Sequence, residues 1–279
     1  MTGLHYLTRS PSQNVQVTHD LSPNNARSES SLIINPVDAR NMIGSSKRFT
    51  NPAAYQFSLA AYASSDGGNN WVEAPLQLPM GADFTSDPAV ACDDVGNAYL
   101  MGLIWKNGPK PHQIVYLGLA VYSSSDGGTT WSKPDVIYKD PADKQEIAAD
   151  TNPMSPHHGN VYAAWDGGQG IEFARTQDHG ATWIGTKQGG VNQSVGSLIA
   201  PKGAIASISI GGDGTVFIFY LASPLGVVGI NVVHRRMAAI PLVHLRQQMP
   251  WQSPESYLYR TRFPAARSAL RRFRRLVPV

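Results

Sequence analysis

Five carboxylates stand where they can do chemistry. Asp83 and Asp87 lie in Gly81-Ala82-Asp83-Phe84-Thr85-Ser86-Asp87-Pro88, Asp143 and Glu146 in Asp143-Lys144-Gln145-Glu146, and Glu29 ahead of the apolar run Leu32-Ile33-Ile34. Each precedes a short apolar segment and so belongs to a loop leading into a strand. Carboxylates gathered round one opening can accept sugar hydroxyls, hold a cation, or push one another's pKa into the acid/base range. Asp83, Asp87, Asp143 and Glu146 are therefore the catalytic candidates, and Glu29 a substrate-binding one. Arg40 and Arg48, whose planar forks suit a carboxylate, are the candidates for contacting an anionic substrate. The same acids are also turn formers, Asp87-Pro88 above all, and exposed arginines are ordinary solvated surface.

Other chemistry is poorly supplied. The single cysteine, Cys92, offers neither an internal disulfide nor a thiolate cluster for zinc or iron–sulfur. His157 and His158 are adjacent, and neighbouring residues of an extended loop point apart. Asp93-Asp94-x-Gly96 and Gly212-Asp213-Gly214 lack the ligand ladder of a calcium loop. No cofactor or metal is expected, and calcium is left without support. Trp105, Trp165 and Tyr99 can stack on sugar rings if they face an opening, although their places at strand ends also fit core packing.

The elements that must position these residues form a repeat. Ser64-Ser65-Asp66-Gly67-Gly68-Asn69-Asn70-Trp71, Ser124-Ser125-Asp126-Gly127-Gly128-Thr129-Thr130-Trp131 and Thr176-Gln177-Asp178-His179-Gly180-Ala181-Thr182-Trp183 share one pattern, with tryptophans 60 and 52 residues apart. That period suits a four-stranded antiparallel unit. In each octamer the carboxylate of Asp66, Asp126 or Asp178 accepts backbone N–H groups, and a glycine takes positive φ. The following Trp71, Trp131 or Trp183 opens the next strand and seals the gap between sheets. Ahead of each octamer, short runs ending at Asn35, Asp93 and Asp150 read as the first strands of hairpins, and Gln56–Ala63, Ile114–Ser123 and Gly170–Thr176 as the strands entering the octamers. A fourth hairpin, Ala204–Ile210 into Thr215–Leu221, has no octamer after it. The expected fold is all-β, a β-propeller of four-stranded antiparallel blades, with about three complete blades and a partial fourth.

Composition agrees. The chain has 279 residues, 42% hydrophobic and only 15% charged, with 26 Gly and 20 Pro, which disfavours coiled coils and helical bundles. No run of eighteen apolar residues is present to span a membrane. The first twenty residues lack the basic and apolar regions of an export signal. Charge divides the chain sharply. Residues 1–230 hold 13 basic and 19 acidic residues, net −6, whereas residues 231–279 hold ten arginines and one glutamate, net +9. The expected organisation is an N-terminal segment, 1–28, in which Asn14 to Thr18 can form one outer strand; blades over 29–222; and an Arg-rich segment, 223–279. That last segment reads first as a foreign, out-of-frame continuation. A solvated tail, an amphipathic helix over 265–276 and phosphate binding are its other readings, and nucleic acid is not an expected partner.

The pattern Ser/Thr-x-Asp-x-Gly-x-Thr/Asn-Trp resembles the Asp box, or BNR repeat, of sialidases and of other propellers such as sortilin-type receptors. The stretch Glu29 to Pro36 followed by Asp38-Ala39-Arg40-Asn41-Met42-Ile43 also looks like the opening blade of bacterial sialidase-like propellers. The resemblance covers residues 29–222 and implies a propeller that normally has six or more blades, so that this chain is expected to be incomplete, with an open sheet edge suited to self-association. It implies Asp boxes at the blade periphery away from the active site, glycans as the ligand class, and an extracellular or periplasmic setting. A sialidase would bring three clamp arginines, an Asp acid/base and a Glu-activated Tyr nucleophile. The Arg-Ile-Pro motif that often carries the first arginine is absent, and outside the tail only Arg9, Arg27, Arg40, Arg48 and Arg175 are available. The resemblance thus implies either a sialidase-like glycoside hydrolase or a non-catalytic propeller that binds glycan or protein, as sortilin-type domains do.

Overall fold

A computed structural model describes residues 14–21, 26–110, 113–185, 196–222 and 229–235. Arg9 and most of the Arg-rich segment, residues 223–228 and 236–279, lie outside the described residues. Among the described residues, apart from one 3₁₀ turn, Pro52–Ala54, the regular structure is all β, in four antiparallel sheets. The first contains β1 (Arg27–Ile34), β2 (Met42–Asn51), β3 (Gln56–Ser64) and β4 (Val72–Ala74). The second contains β5 (Phe84–Cys92), β6 (Ala98–Asn107), β7 (Ile114–Ser124) and β8 (Asp135–Tyr138). In the third, β9 (Ala142–Ala149), β10 (Val161–Gly167) and β11 (Gly170–Thr176) are edged by two short strands, β12 (Ile184–Gly185) and β13 (Ser197–Pro201), which both pair with β11. The fourth contains β14 (Gly203–Ile210), β15 (Val216–Ala222) and β16 (Gly229–Arg235). β16 takes the first residues of the Arg-rich segment into the sheet. Asn14 to Leu21 form no strand.

The sheets stack in chain order. β5 packs on β1, β2 and β3, β9 on β5, β6 and β7, and β14 on β9, β10 and β11. Burial follows from that order. β6 is buried without interruption from Ala98 to Ile104 because sheets cover both its faces. β1 alternates, with Ile33 turned toward the second sheet while Leu32 and Ile34 are 61% and 49% exposed. The largest core lies between the second and third sheets, where Trp165, Tyr99, Met101, Leu103 and Leu119 are buried.

Antiparallel order fixes what lies at each end of the strands. The hairpin turns between first and second strands share one end with the three octamers. The connections from each fourth strand to the next first strand share the other end with the turns between second and third strands.

The first strands differ from the sequence reading in an informative way. They were expected to begin near Ser31, Ala89 and Ile147, but they begin at Arg27, Phe84 and Ala142. A β-bulge lies in each extension, and one residue in each has positive φ: Glu29 (55°), Asp87 (53°), Lys144 (48°) and, in the fourth sheet, Ile205 (54°). All four stand five residues before the last residue of their strand. The left-handed conformation costs a non-glycine residue about 1–2 kcal/mol. Its recurrence at one register shows that sheet packing imposes it.

Candidate functional site

The four bulges line up along the inner strands and are wired to one another. The Glu29 carboxyl lies close enough to Asp87 for the two to interact. The Gln145 side-chain amide donates to the Asp87 carbonyl, and the Asp166 carboxyl lies beside the Ile205 backbone. Each contact joins one sheet to the next at the same end of the strands.

A carboxylate beside another disfavours the charged form of both. Burial, together with the neighbouring Asp87, raises the pKa of Glu29, and Lys47 only partly offsets this. Lys47 approaches from β2, its Nζ 3.6 Å from Glu29 Oε1 and its side chain 9% exposed. The ammonium stands over the Phe57 ring at 4.2 Å from the centroid, with Tyr55 and Phe49 at 5.5 and 5.7 Å. Aromatic faces hold a desolvated cation by their quadrupole. Nothing in the sequence analysis singled out Lys47. Its one signal is a lysine in β2 flanked by serines and aromatics.

The other candidates fall on this end or away from it. Asp83, exposed in the loop before β5, accepts from the backbone and side-chain nitrogens of Asn107 at 2.7 and 3.0 Å, which makes it a cap for the end of β6. Asp143 stands opposite Asp166, whose pKa is raised by burial and by the Asp143 charge. Glu146 is open to solvent at its tip but flanked by protein, and loss of water raises its pKa. Asp87, Asp143, Glu146 and Glu29 therefore lie within strands and not in the loops expected for them, because the bulges let the strands run on through polar residues.

Arg48 and Arg27 converge on Glu73, Arg27 at 3.5 Å and Arg48 in a short ion pair. Arg48, Glu73 and Asp83 border a cavity of about 490 Å³ beside β4, floored by Leu59, Leu76 and Tyr122. Arg40 lies at the opposite end, its side chain 77% exposed beside Asp38. Arg175 is largely buried, and burial lowers its pKa. Tyr99 and Trp165 are fully buried core residues. Trp105 is partly buried, stacks on Tyr116 at 4.0 Å and donates to Ser86.

The octamers occupy the end away from the bulges and are built alike. Ser64 Oγ donates to Asp66 and accepts from the Gly68 amide, while Asp66 accepts from the amides of Asn69 and Asn70. Trp71 Nε1 donates to the Gly68 carbonyl. Ser124, Asp126, Thr130 and Trp131 repeat these bonds, as do Thr176, Asp178 and Thr182 for the carboxylate. Trp131 packs on Ile43 of the first sheet, and Trp183 lies in the core shared with Tyr99. All three acids are structural. The Asn70 amide and side chain lower the pKa of Asp66 to about 2. Burial opposes ionisation of Asp126 and Asp178, but bonds from Thr130 and Thr182 outweigh it, and both pKa values are lowered.

A depressed carboxyl stabilises the fold above its ordinary pKa, and that contribution is lost as pH falls through the folded value. The denaturation midpoint is accordingly expected to fall on acidification from about pH 4 to about pH 2, with Asp66→Asn reducing the fall. Glu29, raised instead of lowered, contributes with the opposite sign. Urea titrations across that range check this.

No protein-family model matches the chain, and no curated protein matches it in sequence. Solved structures do. A Dyadobacter fermentans protein of unknown function is 16% identical, with a TM-score of 0.53 over 75% of this chain and 65% of its own. The NanB sialidase of Streptococcus pneumoniae is 11% identical, with a TM-score of 0.50 over 80% of this chain and 52% of its own. An α-L-arabinofuranosidase of Fusarium graminearum is 13% identical, with a TM-score of 0.48 over 71% and 55%. The chain thus spans about two thirds of the first of these proteins and half of the second. At these identities the likeness is one of fold alone: an all-β array of antiparallel sheets, similar to that of the propeller-like sialidase.

Proposed function

We propose that the chain is an Asp-box propeller of the sialidase-like kind that binds glycans at the bulge end of its inner strands. The observation that carries this reading is the Glu29–Asp87 pair. Two adjoining carboxyls, the Glu29 pKa raised by burial and by Asp87, stand beside a caged ammonium and next to the sheet ends bearing Asp143 and Glu146, and together they offer donors and acceptors to sugar hydroxyls. Arg48 and Asp83, at the mouth of the neighbouring cavity, extend the polar surface. The sialidase neighbour supports glycans as the ligand class. The octamer acids, fully engaged in their own turns at the other end, take no part.

Hydrolysis is the second reading, favoured by the raised pKa of Glu29. A glycosidase working with two carboxyls needs them about 5–9.5 Å apart across the bond it cleaves. Glu29 and Asp87, interacting directly, act instead as one unit. Cleavage would therefore use Glu29–Asp87 as a single acid/base, with Asp143 or Glu146 as the second carboxyl. Titration with sialylated and neutral oligosaccharides, alongside turnover of a fluorogenic sialoside and other glycosides, separates the readings. Binding without turnover is the expected result. Turnover abolished by Glu29→Gln would establish the hydrolase, and no binding to any glycan would remove both.

A further inference from the structure

The octamer end carries a second cluster, independent of the bulges, where the second and third sheets meet. Asp93 and Asp94 lie in the turn between β5 and β6, His158 in the turn between β9 and β10, and His179 in the third octamer. One ligand atom each from Asp93, Asp94 and His179 lies within 4.8 Å of the other two. His179 Nδ1 is 2.9 Å from Asp93 Oδ2, and His158 Nδ1 is 3.3 Å from Asp94 Oδ2. We infer that Asp93, Asp94 and His179 form the core of a binding site for a divalent transition metal of the zinc class, with His158 drawn in beside Asp94 as the fourth ligand.

The donor set is two imidazoles and two carboxylates, the nitrogen and oxygen ligands that Zn²⁺, Co²⁺ and Ni²⁺ take, and their charge balances the ion's. Ligands bound at zinc distances stand roughly 3–3.5 Å from one another, close to the two spacings observed. Asp93 is fully buried and already oriented. Tyr99 Oη and Asn97 Nδ2 donate to its Oδ2 at 2.7 and 2.9 Å, and the amides of Val95 and Asn97 donate to Oδ1. Such outer partners fix a metal-binding carboxylate.

Two further observations point to a missing ligand. Asp94 Oδ1 is shut off from solvent without a hydrogen-bond partner, on a side chain only 11% exposed, and a buried carboxylate oxygen left so is costly. His179 also stands where the other octamers place Gly67 and Gly127, at φ 53° against 76° and 74°. A glycine would fit there without strain. The imidazole is the one group at that position able to reach Asp93. A metal bound at Nδ1 takes the imidazole as the neutral tautomer with its proton on Nε2, so the contact between His179 Nδ1 and Asp93 Oδ2 is exchanged for two metal bonds.

The experiment uses tag-free, chelator-treated full chain. Zn²⁺ is expected to raise its thermal midpoint and to bind one to one by calorimetry, and Co²⁺ to give visible absorption from nitrogen and oxygen ligation. His179→Gly restores the residue type of the other two octamers, so the variant is expected to fold with an unchanged or higher metal-free midpoint. It is expected to lose at least tenfold in Zn²⁺ affinity together with the Co²⁺ bands. Asp94→Asn, which keeps the shape, should lose affinity likewise. Absence of Zn²⁺ binding by the unaltered chain, or His179→Gly binding as tightly, would overturn the inference.

Discussion

Asp87→Asn is expected to weaken glycan binding about 10- to 100-fold while leaving the fold intact. Asparagine is among the residues that best tolerate the left-handed conformation Asp87 adopts, so the bulge and its approach to Glu29 survive. The charge does not. Without the neighbouring carboxylate, which raises it, the Glu29 pKa moves back toward its ordinary range, and the site exchanges a carboxylate for a fixed amide. A hydrogen bond to a charged group contributes roughly 1.5–3 kcal/mol, which sets the size of the loss. Calorimetric titration measures it, with Arg40→Ala as the opposite-end control expected to bind as before. Equal affinities for Asp87→Asn and the unaltered chain would take the pair out of the site.

Trp165→Ala is expected to have the largest effect on stability. The indole is 0% exposed between the second and third sheets, its ring 5.1 Å from that of Tyr138. Removing a buried aromatic side chain costs about 3–5 kcal/mol, part transfer and part cavity, against a total domain stability of about 5–15 kcal/mol. The thermal midpoint should fall by on the order of 10 °C. Trp105→Ala, at a partly buried site on the rim, is expected to cost much less. Similar midpoints for the two variants would mean that the second and third sheets are not joined by this core.

The octamers were legible because their chemistry is local. A hydroxyl, a carboxylate and glycines within five residues specify the turn without help from the rest of the chain, and the tryptophan that follows marks the sheet junction. The third strands were legible for a similar reason, as apolar runs delivered straight into those turns. The bulges were not. Glu29, Asp87 and Lys144 look like loop residues because strand patterning assumes strict alternation, and a bulge breaks it by inserting one residue. The signal was nevertheless present as a spacing: each of these residues, and Ile205, precedes by five the last residue of its first strand.

Contacts between sheets were least legible. The approach of Glu29 to Asp87 and the meeting of His158 and His179 with Asp93 and Asp94 join residues 58 to 86 positions apart and depend on how one sheet sits on the next. His157-His158 looked like an isolated pair because His179 comes from another turn of the same sheet and Asp93 and Asp94 from a different sheet. The Arg-rich composition after residue 222 likewise gave no hint that Gly229–Arg235 pairs with β15.

Backbone amide NMR during titration with the tightest-binding oligosaccharide tests most directly where the ligand sits. The largest shifts are expected at and beside Glu29, Lys47, Asp87, Lys144 and Ile205, with the amides of Asp66, Asp126 and Asp178 unmoved. Shifts confined to the octamer turns, with the bulge residues silent, would contradict the assignment of the ligand face.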